Sequence, residues 1–136
     1  MAHQLSFEKL AEYDAGQLGV TLSVALSFTD VSVTFDAKLD TGSSECVFAR
    51  RHGEALGLDI ESGERVRIGT ATGSFIAYRH ELTLTVLGYH FDSHACFASD
   101  DFFNRNVLGR HGFMDRVQIG LNDYEGKLYL NRYEPE

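Results

Sequence analysis

The stretch FDAKLDTGSSECVFA, residues 35–49, decides the fold of this chain, because it carries an apolar segment into a carboxylate and back into apolar residues within a few positions. Upstream, VSVTFDAKL (31–39) alternates as a half-buried strand does, and it runs straight into Asp40. Thr41, Gly42, Ser43 and Ser44 follow, residue types that turn the chain by bonding their own backbone. ECVFA (45–49) then reads as a short buried strand. A carboxylate at such a strand end either caps the backbone N–H groups of an ordinary turn or performs chemistry.

Working outward, LGVTLSVALSF (18–28) alternates like its successor and forms a hairpin with it around Thr29 and Asp30. RRHGEALGL (50–58) predicts one or two helical turns ending near Gly57. ERVRIGTATGSFIAYRHELTLTV (64–86) reads as two strands joined by a tight turn of small residues at GTATG, a candidate projecting hairpin. YHFDSHACFA (89–98) continues the alternation. NVLGR (106–110) is a short apolar strand ended by glycine, and RVQIGLN and KLYLNRY flank DYEG in a last hairpin. The expectation is an all-β fold: a polar leader over 1–17, then one domain over 18–136, with no internal repeat and no second Asp-Thr-Gly.

Composition bounds the function. The chain has 136 residues, 43% of them hydrophobic and one a proline, which suits a single compact domain. Twelve basic against twenty acidic residues give a formal charge of −8, which argues against nucleic acid and anionic membranes as partners. No apolar stretch reaches the roughly 18 residues of a membrane span, and the amino terminus lacks a basic segment followed by an apolar one. The expected location is cytoplasmic. Cys46 and Cys96 both sit among apolar neighbours and read as buried free thiols.

The motif LDTGSS (39–44) at the end of a strand resembles the catalytic loop of aspartic peptidases. Its context narrows the likeness: two strands precede it, CVFA and a glycine-containing hairpin follow, and VLGR (107–110) is similar to the segment that packs beside the catalytic loop in retropepsin-like proteases, the single-domain relatives. The likeness spans roughly residues 18–122. It implies a small closed β barrel with a short helix and a flap hairpin. Asp40 is then catalytic, with Thr41, Gly42 and Ser43 supporting the loop. Thr70, Ala71, Thr72, Gly73 and Ser74 form the flap, and Val107, Leu108 and Gly109 pack beside the loop. The resemblance calls for no metal and no cofactor. Ser43 stands where retroviral enzymes commonly carry Ala, and the terminal hairpin replaces their short helix and interface strand.

Amide hydrolysis needs one group to take a proton from water and another to protonate the carbonyl oxygen, and two carboxyls sharing a proton do both. One such Asp in a chain too short for two lobes demands a second copy, so the expected partners are an identical chain, with Asp40 of both at the two-fold axis, and an extended polypeptide substrate. Thr41 bonds across that axis by resemblance, and Gly42 admits close backbone approach. A Ser43 hydroxyl donating to Asp40 lowers the carboxyl pKa. Phe75 and Tyr78, which alternate with Ile76, line the groove or belong to the core, and Arg110 forms an ion pair near the interface. His90, Asp92, His94 and Cys96 share one face of a strand, but its ends lie roughly 20 Å apart, so they cannot share one ion and read as a solvated polar face. The rival reading is a dimeric interaction module on the same fold.

Overall fold

The computed structural model describes residues 1–133; residues 134–136, which the sequence reading includes in the domain, lie outside the described residues. Among the described residues ten strands make two sheets. The first strand, β1 (Lys9–Glu12), lies inside the segment read as a leader. Next come β2 (Thr21–Phe28), β3 (Val31–Leu39), β4 (Val47–Phe48) and the helix α1 (Arg50–Ala55). A 3-10 turn (Ile60–Ser62) leads into the long hairpin of β5 (Glu64–Thr70) and β6 (Gly73–Val86), followed by β7 (Tyr89–Ala98) and β8 (Val107–Leu108). A second 3-10 turn (Met114–Arg116) precedes the final hairpin, β9 (Val117–Asn122) and β10 (Lys127–Arg132).

The larger sheet runs β2-β3-β8-β4-β7-β6-β5, and β2 also pairs with β6 from Val24↔Val86 to Ser27↔Thr83. That extra pairing closes six strands into a ring and leaves β5 hanging from β6 as the outer arm of the projecting hairpin. Closure removes the open edges that an isolated sheet presents for aggregation. In the smaller sheet β10 lies between β1 and β9, so the leader is tied to the domain through Lys9↔Leu130 to Glu12↔Lys127.

Period-two alternation fills the barrel. Leu22, Val24 and Leu26 of β2 point inward with Leu82, Leu84 and Val86 of β6 and Phe91, Ala95 and Phe97 of β7. Phe48, Phe97 and Phe113 are fully buried, each contributing roughly 1.5–3 kcal/mol of transfer free energy. Phe35 meets Phe48 edge-on with ring centroids 5.0 Å apart, and His52 of α1 stacks on the other side of Phe35 at 3.9 Å. The alternation also answers the question over Phe75 and Tyr78. Tyr78 packs on the main core, whereas Phe75 joins a smaller cluster with Val47, Ala77, Cys96, Val66, Ile68 and Phe103. Among the described residues no helix is long and apolar enough to cross a membrane.

Two histidines make the fold sensitive to acid. His52 and His94 are held below the ordinary histidine value of 6.5, by burial first and then by the charge of Arg51 for His52 and of Arg116 and Arg79 for His94. Folded, they stay neutral at a pH where the unfolded chain already takes up protons. Stability is therefore fully present above 6.5 and falls as pH drops toward the folded values. Thermal melting should show Tm declining from near neutrality to about pH 5, with a shallower decline for His52→Gln. A Tm that rises over this interval would contradict the assignment.

Candidate active site

Asp40 follows directly on β3, whose last two residues pair in parallel with β8 as Lys38↔Val107 and Leu39↔Leu108. Its own N–H donates to the Leu108 carbonyl at 3.0 Å, so the backbone bearing the carboxylate is bonded to a buried residue. The chain then turns: the Gly42 N–H donates to Asp40 Oδ1 at 2.8 Å and the Ser43 N–H to the Asp40 carbonyl at 3.2 Å. A Cβ on Gly42 would stand 3.2 Å from Asp40 Oδ1, which is why a residue without one suits this position. One carboxylate oxygen is thereby oriented by the backbone. Asp40, Thr41 and Gly42 are all exposed, whereas Cys46, Leu108 and Gly109 beneath them are buried.

Behind the loop, the chain after β8 zips onto it. Arg110 N–H donates to the Ser43 carbonyl and His111 N–H to the Ser44 carbonyl, both at 2.9 Å, and Glu45 bridges His111 in parallel register. At the centre is Gly109, where an added Cβ would lie 2.1 Å from the Glu45 carbonyl oxygen and 2.7 Å from that of Ser43. Both atoms are backbone and cannot swing aside. Val107 and Leu108 pair with Lys38 and Leu39 at the end of β3, and Gly109 presses on the backbone of Ser43 and Glu45. Cys46 and Cys96 are buried free thiols as expected, and burial pushes both up to about 12. They are not reactive nucleophiles at neutral pH.

The structure redirects Ser43. Its single hydroxyl proton goes to the Glu45 carbonyl at 2.7 Å, which staples the loop to itself and supplies no bond to Asp40. Arg110 likewise forms no ion pair among the described residues; with Thr41, His111, Met114 and Asp115 it lines a shallow recess of about 330 Å³. On the projecting hairpin, Thr70 pairs with Gly73 across Ala71 and Thr72, with the Thr70 hydroxyl donating to the Gly73 carbonyl at 3.1 Å, and Thr70–Ser74 are all exposed. On β7, His90 Nδ1 lies 2.8 Å from the Thr85 hydroxyl, and Cys96 is sealed in the smaller cluster.

Three contributors escaped the sequence reading. Arg79 of β6 reaches Glu45 at 2.6 Å and Glu64 at 2.8 Å, joining the Asp40 loop to the base of the hairpin. Phe103 stacks on Phe75 at 4.7 Å, fastening the segment before β8 to the hairpin. Asn106 Oδ1 accepts the Ala49 N–H at 3.0 Å and so satisfies the start of α1. The spacing of Arg79 from Phe75 on an alternating strand was the available signal, since it puts both on one face.

Asp40 is thus an exposed carboxylate, one of its oxygens bonded to the Gly42 N–H, on a loop of a closed β barrel that also projects a hairpin. A family model described as aspartyl protease matches residues 24–121, which take in the Asp40 loop, the hairpin and β8. The chain belongs to the aspartyl protease family. No curated protein sequence matches it.

Two substitutions test this anatomy. Gly109→Ala should lower the urea midpoint by the equivalent of roughly 3 kcal/mol through overpacking against immovable backbone. Ser43→Ala should cost about 1 kcal/mol, the worth of one hydrogen bond, while leaving the pH profile of any hydrolysis unchanged. A displaced acid limb would restore a direct bond from Ser43 to Asp40.

Proposed function

We propose that the chain is an aspartic endopeptidase of the retropepsin-like type, active as a homodimer. The observation that carries this reading is the contrast at Asp40: the loop beneath it is bonded and buried, yet Asp40, Thr41 and Gly42 stand exposed together, and the chain has no second Asp-Thr-Gly. A lone carboxylate cannot both take and give the protons that amide hydrolysis moves. A second copy supplies the other half, and two closely placed carboxyls retain one proton between them because like charges cannot both ionise at short range. The ionised one takes a proton from water as it attacks the carbonyl carbon, the protonated one gives its proton to the carbonyl oxygen, and the roles reverse when the amine departs. The pair titrates as a unit.

Thr41, next to the carboxylate and exposed, bonds its counterpart across the two-fold axis and holds the loops in register. The hairpin tip, Thr70 to Ser74, closes over an extended polypeptide, offers backbone hydrogen bonds and excludes water. Apolar side chains beside the cut suit a hairpin whose Val66, Ile68 and Phe75 are apolar and only partly buried. No metal or covalent intermediate enters this scheme.

Digestion of a mixed peptide library by the parent and by Asp40→Asn, read by mass spectrometry over pH ~4 to 7, should show cleavage by the parent and a loss of roughly a hundredfold or more in the variant. Both proteins should melt cooperatively and sediment as dimers. A folded parent that stays monomeric at high concentration, or that cuts as well without Asp40, overturns the reading. A dimer that never cuts transfers it to an interaction module.

A further inference from the structure

The hairpin of β5 and β6 has one open side, because β5 pairs only with β6. The short turn at Ala71 and Thr72 makes Thr70 and Gly73 a pair that exchange main-chain hydrogen bonds. From there the antiparallel ladder alternates. Glu64, Val66, Ile68 and Thr70 turn their main-chain groups toward β6, and Arg65, Arg67 and Gly69 turn theirs away. β6 agrees with this phase: the carbonyl of Ile76, opposite Arg67, accepts the Ser99 N–H at 3.0 Å on the side of β6 away from β5. Among the described residues the outward N–H and C=O groups of Arg65, Arg67 and Gly69 bond to no other element.

The side chains along this edge fix its charge. Arg65 and Arg67 share one face of β5 by alternation, and both are exposed. Arg67 Nη1 donates to the Ser74 hydroxyl at 3.1 Å, and neither guanidinium meets a carboxylate among the described residues. The acids nearest in sequence are engaged elsewhere, Glu61 by Arg50 and Glu64 by Arg79. Gly69 carries no side chain, and an added Cβ there would meet nothing within 4 Å, so the third outward position is unobstructed. In a chain of formal charge −8, this edge is locally basic.

We propose that the open edge of β5 docks an extended acidic segment of a partner polypeptide as an added strand. The outward main-chain groups supply the hydrogen bonds, and the side chains of alternate residues supply the selectivity. Carboxylates two positions apart on the incoming strand stand on one face, opposite Arg65 and Arg67. Adjacent carboxylates fall on opposite faces, and only one of them meets an arginine. A second copy of the chain is the poorer occupant. Antiparallel pairing of two such edges about Val66 sets Arg65 opposite Arg67, and pairing about Arg67 sets that residue opposite itself, so like charges meet in either register. The two arginines therefore guard an unpaired strand against its own kind while leaving it open to an acidic one. The inference does not depend on catalysis at Asp40.

The test uses the full chain carrying Asp40→Asn, so that no probe is cut, and two fluorescein-labelled peptides of the same composition. One alternates Glu with Val and Thr; the other has its Glu residues adjacent. Fluorescence anisotropy should show the alternating peptide binding about fivefold more tightly than the other. Adding Arg65→Glu together with Arg67→Glu should weaken it by about tenfold or more, since two attractions become repulsions. Gly69→Pro removes one outward N–H at an edge position that tolerates proline, and should weaken binding with both arginines in place. Amide hydrogen exchange, read residue by residue, should slow at Arg65, Arg67 and Gly69 when the alternating peptide is added. Melting curves establish that each variant is folded, and should Gly69→Pro fail to fold, the exchange at Arg65 and Arg67 decides the matter. Equal affinity for the two peptides, or binding unchanged by Gly69→Pro, means charge attraction without an added strand and overturns the proposal. Binding that survives the double reversal places the peptide elsewhere and overturns it as well. Exchange that slows with rising protein concentration and no peptide makes the edge a contact between copies, which also overturns it.

Discussion

Backbone pressed on backbone at Gly109 is the constraint on which the rest of the structure depends. β8 is two residues long, yet it is the only strand between β3 and β4, and the ring of six strands closes through it. Its brevity leaves little ladder to hold it, so the chain that follows completes the grip through Arg110 and His111 on Ser43 and Ser44. That contact requires the Gly109 Cα to approach the Glu45 and Ser43 carbonyls more closely than any side chain allows. Ring closure and support of the Asp40 loop are therefore one packing event.

From that event comes the division of labour at the site. The loop's underside is buried and bonded, so its conformation is set before any ligand arrives, and its tip is left to solvent with one carboxylate oxygen already oriented by the Gly42 N–H. Preorganised polar groups of this kind avoid reorganisation when charge moves. The Ser43 hydroxyl belongs to the same scaffolding, since its proton goes to Glu45. Glu45 then extends the scaffold outward: its backbone grips the loop and its side chain grips Arg79, so the base of the projecting hairpin is tied to the segment that carries Asp40.

The strands were legible because burial on one side imposes period two, and β3, β6, β7 and both terminal hairpins stand where the alternation puts them. β1 was hidden in a polar leader because a short edge strand buries little and leaves almost no pattern; its pairing with β10 comes from the partner. Phe75 and Tyr78 could not be sorted by hydrophobicity, since both are aromatic and β6 separates two apolar clusters. Their odd spacing, once the strand was established, put them on opposite faces.

The sequence by itself determined the all-β class, the strand ending at Asp40, the projecting hairpin and the buried thiols, because each follows from local alternation or from residue types that turn the chain. Tertiary structure alone decided that the ring closes through β2 and β6, that the Ser43 hydroxyl faces Glu45 instead of Asp40, and that Arg79 joins Glu45 beside the loop to Glu64 on the hairpin. These depend on groups distant in the chain meeting at distances of a few ångströms, and a side chain with several possible partners takes the one that folding brings within reach.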